Sequence, residues 1–124
     1  VKYLTEKYTN RPKVETIAPI VAEIVSVSNH PTREDLHILS VNAGGDDLVQ
    51  IVCGAPNVRA GMRGVLAPVG AILPNSKKPL SRRAVAGVES FGMMCSAAEL
   101  GVGTDGDNII ELDESYKVGD KYNN

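Results

Sequence analysis

Two apolar runs, Leu48 to Cys53 and Val65 to Val69, are separated by a loop that no regular element can cross. The first run is rich in β-formers and reads as a buried strand. It stops at Gly54-Ala55-Pro56-Asn57. Gly54 can take positive φ, Pro56 fixes φ and offers no N–H, and Asn57 tolerates the left-handed region or caps a turn. Arg59 and Arg63 follow before the second run begins. A core strand that ends in a stiff, cationic loop is a place where a protein presents a binding surface.

The remaining chain repeats this short-strand pattern. Ile20, Ala22, Ile24, Val25 and Val27 form the first long strand, ending at Ser28-Asn29-His30-Pro31. Thr32 is placed to cap a single helical turn, with Asp35 three residues on. Leu36 to Asn42 reads as the second strand, and Ala43 to Asp47 as a hairpin turn into the third, Leu48 to Cys53. Three strands on short connections imply an antiparallel meander.

After the fourth strand, Val65 to Val69, come a turn (Gly70 to Asn75), a basic excursion (Ser76 to Arg83) and an extended stretch, Ala84 to Val88. Glu89 to Gly92 reads as a turn. Ser96 with Glu99 is a capping box for a short helix that ends at Gly101. Ile109 to Leu112 reads as a last short strand before an acidic, tyrosine-containing tail. Twelve glycines and seven prolines, spread as punctuation, fit many short elements. The expected fold is all-β: a five-stranded OB-type barrel with a short helix and irregular loops. Residues 1–16 read as a linker or boundary segment and 17–124 as the domain.

With 124 residues there is room for one core, built from Val, Ile, Leu and Ala because Trp is absent and Phe occurs once. The chain begins with Val, which suggests a domain taken from a longer protein. No apolar run approaches the ~20 residues that span a bilayer, and no signal peptide is visible, so the expected location is cytoplasmic. Cys53 and Cys95 read as two reduced buried thiols, with a disulfide left open; no Cys/His cluster suggests zinc or another metal. No nucleophile elbow and no phosphate-binding Gly-x-x-x-x-Gly-Lys occurs, and the adjacent carboxylates Glu34-Asp35 and Asp46-Asp47 fall in turns. This domain by itself is not expected to be a catalyst or to hold a cofactor.

The net charge of −2 conceals an asymmetry. Between Leu48 and Val88 there is no Asp or Glu, while Arg59, Arg63, Lys77, Lys78, Arg82 and Arg83 all fall there. A cationic middle third is the footprint of a polyanion partner, unless the fold brings acids from elsewhere to meet it. Asn57, Arg59 and Arg63 are candidates to donate to phosphate or base edges. Lys77, Lys78, Arg82 and Arg83 would position phosphates. Ser90 could donate to a ribose or phosphate, and Met93 could pack on a base, although core packing is the stronger reading for Met93. Phe91 is the sole phenylalanine, so recognition would rest on shape and backbone with at most one splayed base.

These residues also carry a resemblance. Gln50-Ile-Val-Cys-Gly-Ala-Pro-Asn-Val-Arg59, Gly70-Ala-Ile-Leu-Pro74 and Gly87-Val-Glu-Ser-Phe-Gly-Met-Met-Cys-Ser-Ala-Ala-Glu-Leu-Gly101 resemble the tRNA-binding OB domain. That module is found in the bacterial phenylalanine–tRNA ligase β subunit, and similar ones occur in methionine–tRNA ligase C-termini and as free-standing tRNA-binding proteins. The likeness runs from about Ile20 to Leu112, and the Cys-Gly-Ala-Pro-Asn wording is most similar to the phenylalanine branch. It implies an OB fold, tRNA as partner, and a parent enzyme whose α subunit carries the aminoacylation site with ATP and magnesium. Two positions depart from the family pattern. Glu34-Asp35 stands where an Asp-Lys pair is usual, and Ala84-Val85-Ala86 where Lys-Leu-Arg is common. Those missing cations leave two alternatives to tRNA binding as part of the synthetase: a packing module within the synthetase, or a free-standing tRNA-binding protein.

Overall fold

The computed structural model describes residues 17–74 and 78–122; the expected linker over 1–16 lies outside the described residues. Seven strands precede one helical turn: β1 (Ile20–Asn29), β2 (His37–Asn42), β3 (Val49–Cys53), β4 (Arg63–Pro68), β5 (Arg83–Val85), β6 (Val88–Ser90), β7 (Gly92–Met94) and α1 (Ala97–Leu100). Five strands form one sheet in the order β3-β2-β1-β4-β7, and β5 with β6 forms a separate hairpin. Every pairing between these strands is antiparallel.

β1 lets this sheet curl. Its first half, Ile20–Glu23, pairs with β4, and Glu23–Asn29 pairs with β2, with a register irregularity between Ile24 and Ser26. A bulge adds local twist, so one ten-residue strand serves both halves of a bent sheet. The far edges then approach. Phe91 N–H donates to the Gln50 carbonyl at 2.9 Å, and Val52 N–H donates to Ser90 Oγ at 3.0 Å. The result is the expected nearly closed five-stranded barrel.

Side-chain alternation fills it. Leu39 and Val41 of β2 and Ile51 of β3 point inward beside Ile24 and Leu66, all five fully buried. β4 is buried on both faces: Leu66 enters the barrel, while Val65 and Ala67 face a second cluster with Ala71, Leu73, Cys95 and Leu100. The continuous buried strand is therefore β4. β3, expected to be buried throughout, is half-exposed, with Gln50 in solvent and Leu48 55% exposed just before it.

Other expectations shift for local reasons. The Thr32 cap does not form, because His30 captures the same segment: Thr32 N–H and Arg33 N–H both donate to His30 Nδ1, at 3.1 and 3.2 Å. The Glu89–Gly92 turn is replaced by β6 and β7. The actual turn is at Ala86-Gly87, where φ of 50° and 88° gives a two-residue hairpin of the mirror-image type. Ile109 to Leu112 makes only single bridges, Ile109 to Ser96 and Leu112 to Arg63, and no strand. The acidic tail is laid back along β1, with Val21 N–H donating to the Asp120 carbonyl and Gly119 N–H to the Val21 carbonyl, both at 2.8 Å.

The α1 capping box forms as expected. Glu99 N–H donates to Ser96 Oγ, Ser96 N–H donates to the Glu99 carboxylate at 2.8 Å, and Gly101 closes the turn at φ 75°. Cys53 and Cys95 are free and buried. Burial, with the Glu99 carboxylate adding to it, pushes the Cys95 thiol up to about 12; burial likewise pushes Cys53 up. Both stay as inert neutral thiols at physiological pH.

Candidate nucleic-acid interface

The fold divides the cationic window into two places. Asn57, Arg59 and Arg63, all on or beside the loop after β3, reach the C-terminal segment. The Asn57 amide makes a two-way clasp: Nδ2 donates to the Ile109 carbonyl at 2.9 Å, and Ile109 N–H donates to Oδ1 at 3.0 Å. Arg59 grips Glu111 with both Nη atoms, and that guanidinium holds the Glu111 carboxyl below the usual carboxylate range. Arg63 Nη1 donates to the carbonyls of Tyr116 and Glu114 at 2.6 and 3.1 Å.

These three side chains were expected to donate to phosphate or base edges; here each donates within the domain, Arg63 through Nη1 and Arg59 through its two Nη atoms. A cleft of about 400 Å³ beside the two arginines is also lined by Glu23, Glu111, Asp113 and Glu114. Four carboxylates make that cleft unfavourable for a polyanion. The window without acids in sequence is thus half compensated in space, as sequence spacing alone could not reveal.

The other half stays cationic. Lys78, Arg82 and Arg83 are exposed on the segment that leads into and begins the β5–β6 hairpin; Lys77 lies outside the described residues. Arg82 Nε is 3.4 Å from the Glu89 carboxylate across the hairpin, with both side chains more than half exposed. Such a pair contributes little and exchanges readily for a better anion. Arg83 makes no ion pair among the described residues.

This hairpin is held by groups that the sequence does not announce. His30, 6% exposed, lies within hydrogen-bond distance of the Val85 carbonyl through Nε2, at 3.1 Å. Because Nδ1 accepts from two backbone N–H groups, Nε2 carries the proton and donates. Gln50 Nε2 donates to the Glu89 carbonyl at 2.9 Å. Ser90 was expected to face a ribose or phosphate. It is 3% exposed, and its hydroxyl accepts from Val52 N–H and donates to the Gly92 carbonyl at 3.1 Å, so it has no proton left for a ligand. Met93 is half-buried, packs on the second core cluster and shares a 140 Å³ concavity with Arg83, Val85 and Leu80.

Two of the positions that depart from the resembled pattern, Asp35 and Ala86, have local roles. Asp35 pairs with Arg33 through bonds of 2.9 and 2.6 Å, which lowers its pKa. Ala86 occupies the positive-φ corner of the hairpin.

The sequence profile of the family described as "Putative tRNA binding domain" matches residues 20–121. This chain belongs to that family. Among curated relatives, it is 47% identical over 100 residues to the phenylalanine–tRNA ligase β subunit of Bartonella henselae, covering 81% of this chain and 12% of that protein. It is 46% identical over 99 residues to the subunit of the same name from Novosphingobium aromaticivorans, covering 80% and 12%. With the Francisella tularensis counterpart the identity is 40% over 120 residues, covering 90% and 15%. The domain thus spans about an eighth of the relatives it matches. The C-terminal domain of Plasmodium vivax p43 superposes with a TM-score of 0.60 at 19% identity, covering 88% of this chain and 61% of that one, which supports the barrel fold. Among the described residues no group of three or more His, Cys, Asp or Glu is gathered that could hold a metal, and no helix is long and apolar enough to cross a membrane.

Proposed function

We propose that this domain is an auxiliary tRNA-binding module of a phenylalanine–tRNA ligase β subunit, holding tRNA mainly by its backbone. The observation that carries this reading is the separation of charge. Arg59 and Arg63 are tied to the C-terminal segment, Arg59 by a two-pronged grip on Glu111 and Arg63 by two backbone carbonyls, whereas Lys78, Arg82 and Arg83 are exposed at one hairpin, Arg82 in a single-contact pair of 3.4 Å. A small cluster of exposed cations on a fixed hairpin suits phosphate positioning, which confers affinity and orientation without sequence choice. Aminoacylation, with its ATP and magnesium, would be carried out by the partner α subunit in the cytoplasm; none of that chemistry is assigned to residues here.

A second reading is favoured by Asp35 and Ala84–Ala86, which stand where the pattern usually supplies cations. In that reading the domain packs against neighbouring parts of the synthetase and leaves tRNA alone. Titration with tRNA across salt concentration separates the two. Three phosphate contacts give a log–log slope of about −2 to −3. Absence of binding even at low salt would leave the packing role.

A further inference from the structure

We propose that Phe91 is the stacking site for one unpaired nucleotide of the bound RNA, with Arg82 and Arg83 taking its flanking phosphates. The inference rests on the tRNA-binding role proposed above. Phe91 is the only phenylalanine in the chain and is 39% exposed, although Ser90 before it and Met94 after it are buried.

Its backbone is fixed at three consecutive residues. Ser90 Oγ is bonded on both sides, to Val52 N–H and the Gly92 carbonyl. Phe91 N–H is bonded to the Gln50 carbonyl. Gly92 sits at φ 142°, where an added Cβ would lie 2.7 Å from the Ala67 carbonyl oxygen. A ring projected from so rigid a support loses only its own two side-chain torsions on stacking, and such preorganisation favours binding.

The charges lie where a nucleotide needs them. The Arg82 guanidinium lies over the Phe91 ring, its central carbon 5.9 Å from the centroid, so a stacking base takes the other face or displaces that group toward its own phosphate. Arg83 pairs across the hairpin with Ser90, the residue next to Phe91. A base lying on the ring would therefore have its sugar–phosphate within the field of two guanidinium groups. Bases inside a duplex have both faces covered, so an exposed ring selects an unpaired one, and selects it with little regard to identity because every base has a π-face.

The test uses a short single-stranded RNA carrying one 2-aminopurine, and a duplex of the same length. Wild-type protein should quench the 2-aminopurine. Phe91→Ala should lose the quenching and bind the single strand about tenfold more weakly, with its salt slope and its duplex affinity unchanged. Phe91→Leu should behave like alanine, and Phe91→Tyr should restore both quenching and affinity, which distinguishes stacking from bulk and from a folding defect. If Phe91→Ala matches wild type in affinity and quenching, the stacking site is wrong while tRNA binding stands. If wild type binds no RNA at low salt, both fall.

Discussion

Replacing Arg82 and Arg83 together by glutamate is expected to weaken tRNA binding by more than tenfold at about 0.1 M salt. The log–log salt slope should become shallower by about 1.5 to 2, since each phosphate contact contributes about 0.7–0.9 to it. Thermal stability should barely change. Both side chains are exposed, and the one ion pair they form among the described residues, Arg82 with Glu89, is open to solvent on both sides. Reversal at Arg59 and Arg63 should show the opposite pattern. It sets new carboxylates against Glu111 and the carbonyls of Glu114 and Tyr116, so it loosens the C-terminal segment while the hairpin keeps its charges. Fluorescence anisotropy with labelled tRNA, alongside thermal melts, reads both quantities. Affinity lost on the Arg59/Arg63 side alone would relocate the interface to the loop after β3.

Asn57→Ala should destabilise the fold by about 2–3 kcal/mol, since two part-buried hydrogen bonds to the Ile109 backbone are lost and both backbone groups are left without that partner. That corresponds to a fall in Tm of about 10 °C for a domain of this size. Asn57→Asp should also destabilise, because it keeps the acceptor for Ile109 N–H but sets a carboxylate oxygen against the Ile109 carbonyl. Measured below its lowered Tm, the alanine variant should bind tRNA with the wild-type salt slope. A variant with unchanged Tm and reduced affinity would instead make Asn57 a phosphate or base contact, as its place in the Cys-Gly-Ala-Pro-Asn loop first suggests.

The two predictions show which parts of the molecule were legible in sequence. Alternating apolar residues at Leu39, Val41 and Ile51 indicate strands without ambiguity, and Ser96 with Glu99 specifies a helix start through purely local bonds. Local chemistry is readable from neighbours in the chain. The fate of Arg59, Arg63 and Asn57 was not, because their partners lie about fifty residues away in the chain and no local pattern pairs the two segments. The same holds for His30, whose ring reaches Val85 across 55 residues and displaces the helical turn that Thr32 would otherwise cap. The β5–β6 hairpin was hidden for a different reason. Its turn uses Ala86 at positive φ, a residue that gives no turn signal of its own, so only Gly87 marked the corner.

Cations within a single acid-free window point to a polyanion partner without showing which of them the fold engages internally. Glu23, Glu111, Asp113 and Glu114 converge on one end of the window and spare the other. Which arginines remain available is decided by the tail folding back along β1. That is a tertiary fact and leaves no mark on composition.

The most direct test of the tRNA-binding account is to follow the backbone amide resonances of this protein while tRNA is added at low salt. The account predicts shifts and broadening concentrated between Lys78 and Phe91, reversed by added salt, with the segment from Asp105 to Glu114 undisturbed. Spectra unchanged at every residue, or changes confined to the acidic cleft beside Arg59 and Arg63, would contradict it.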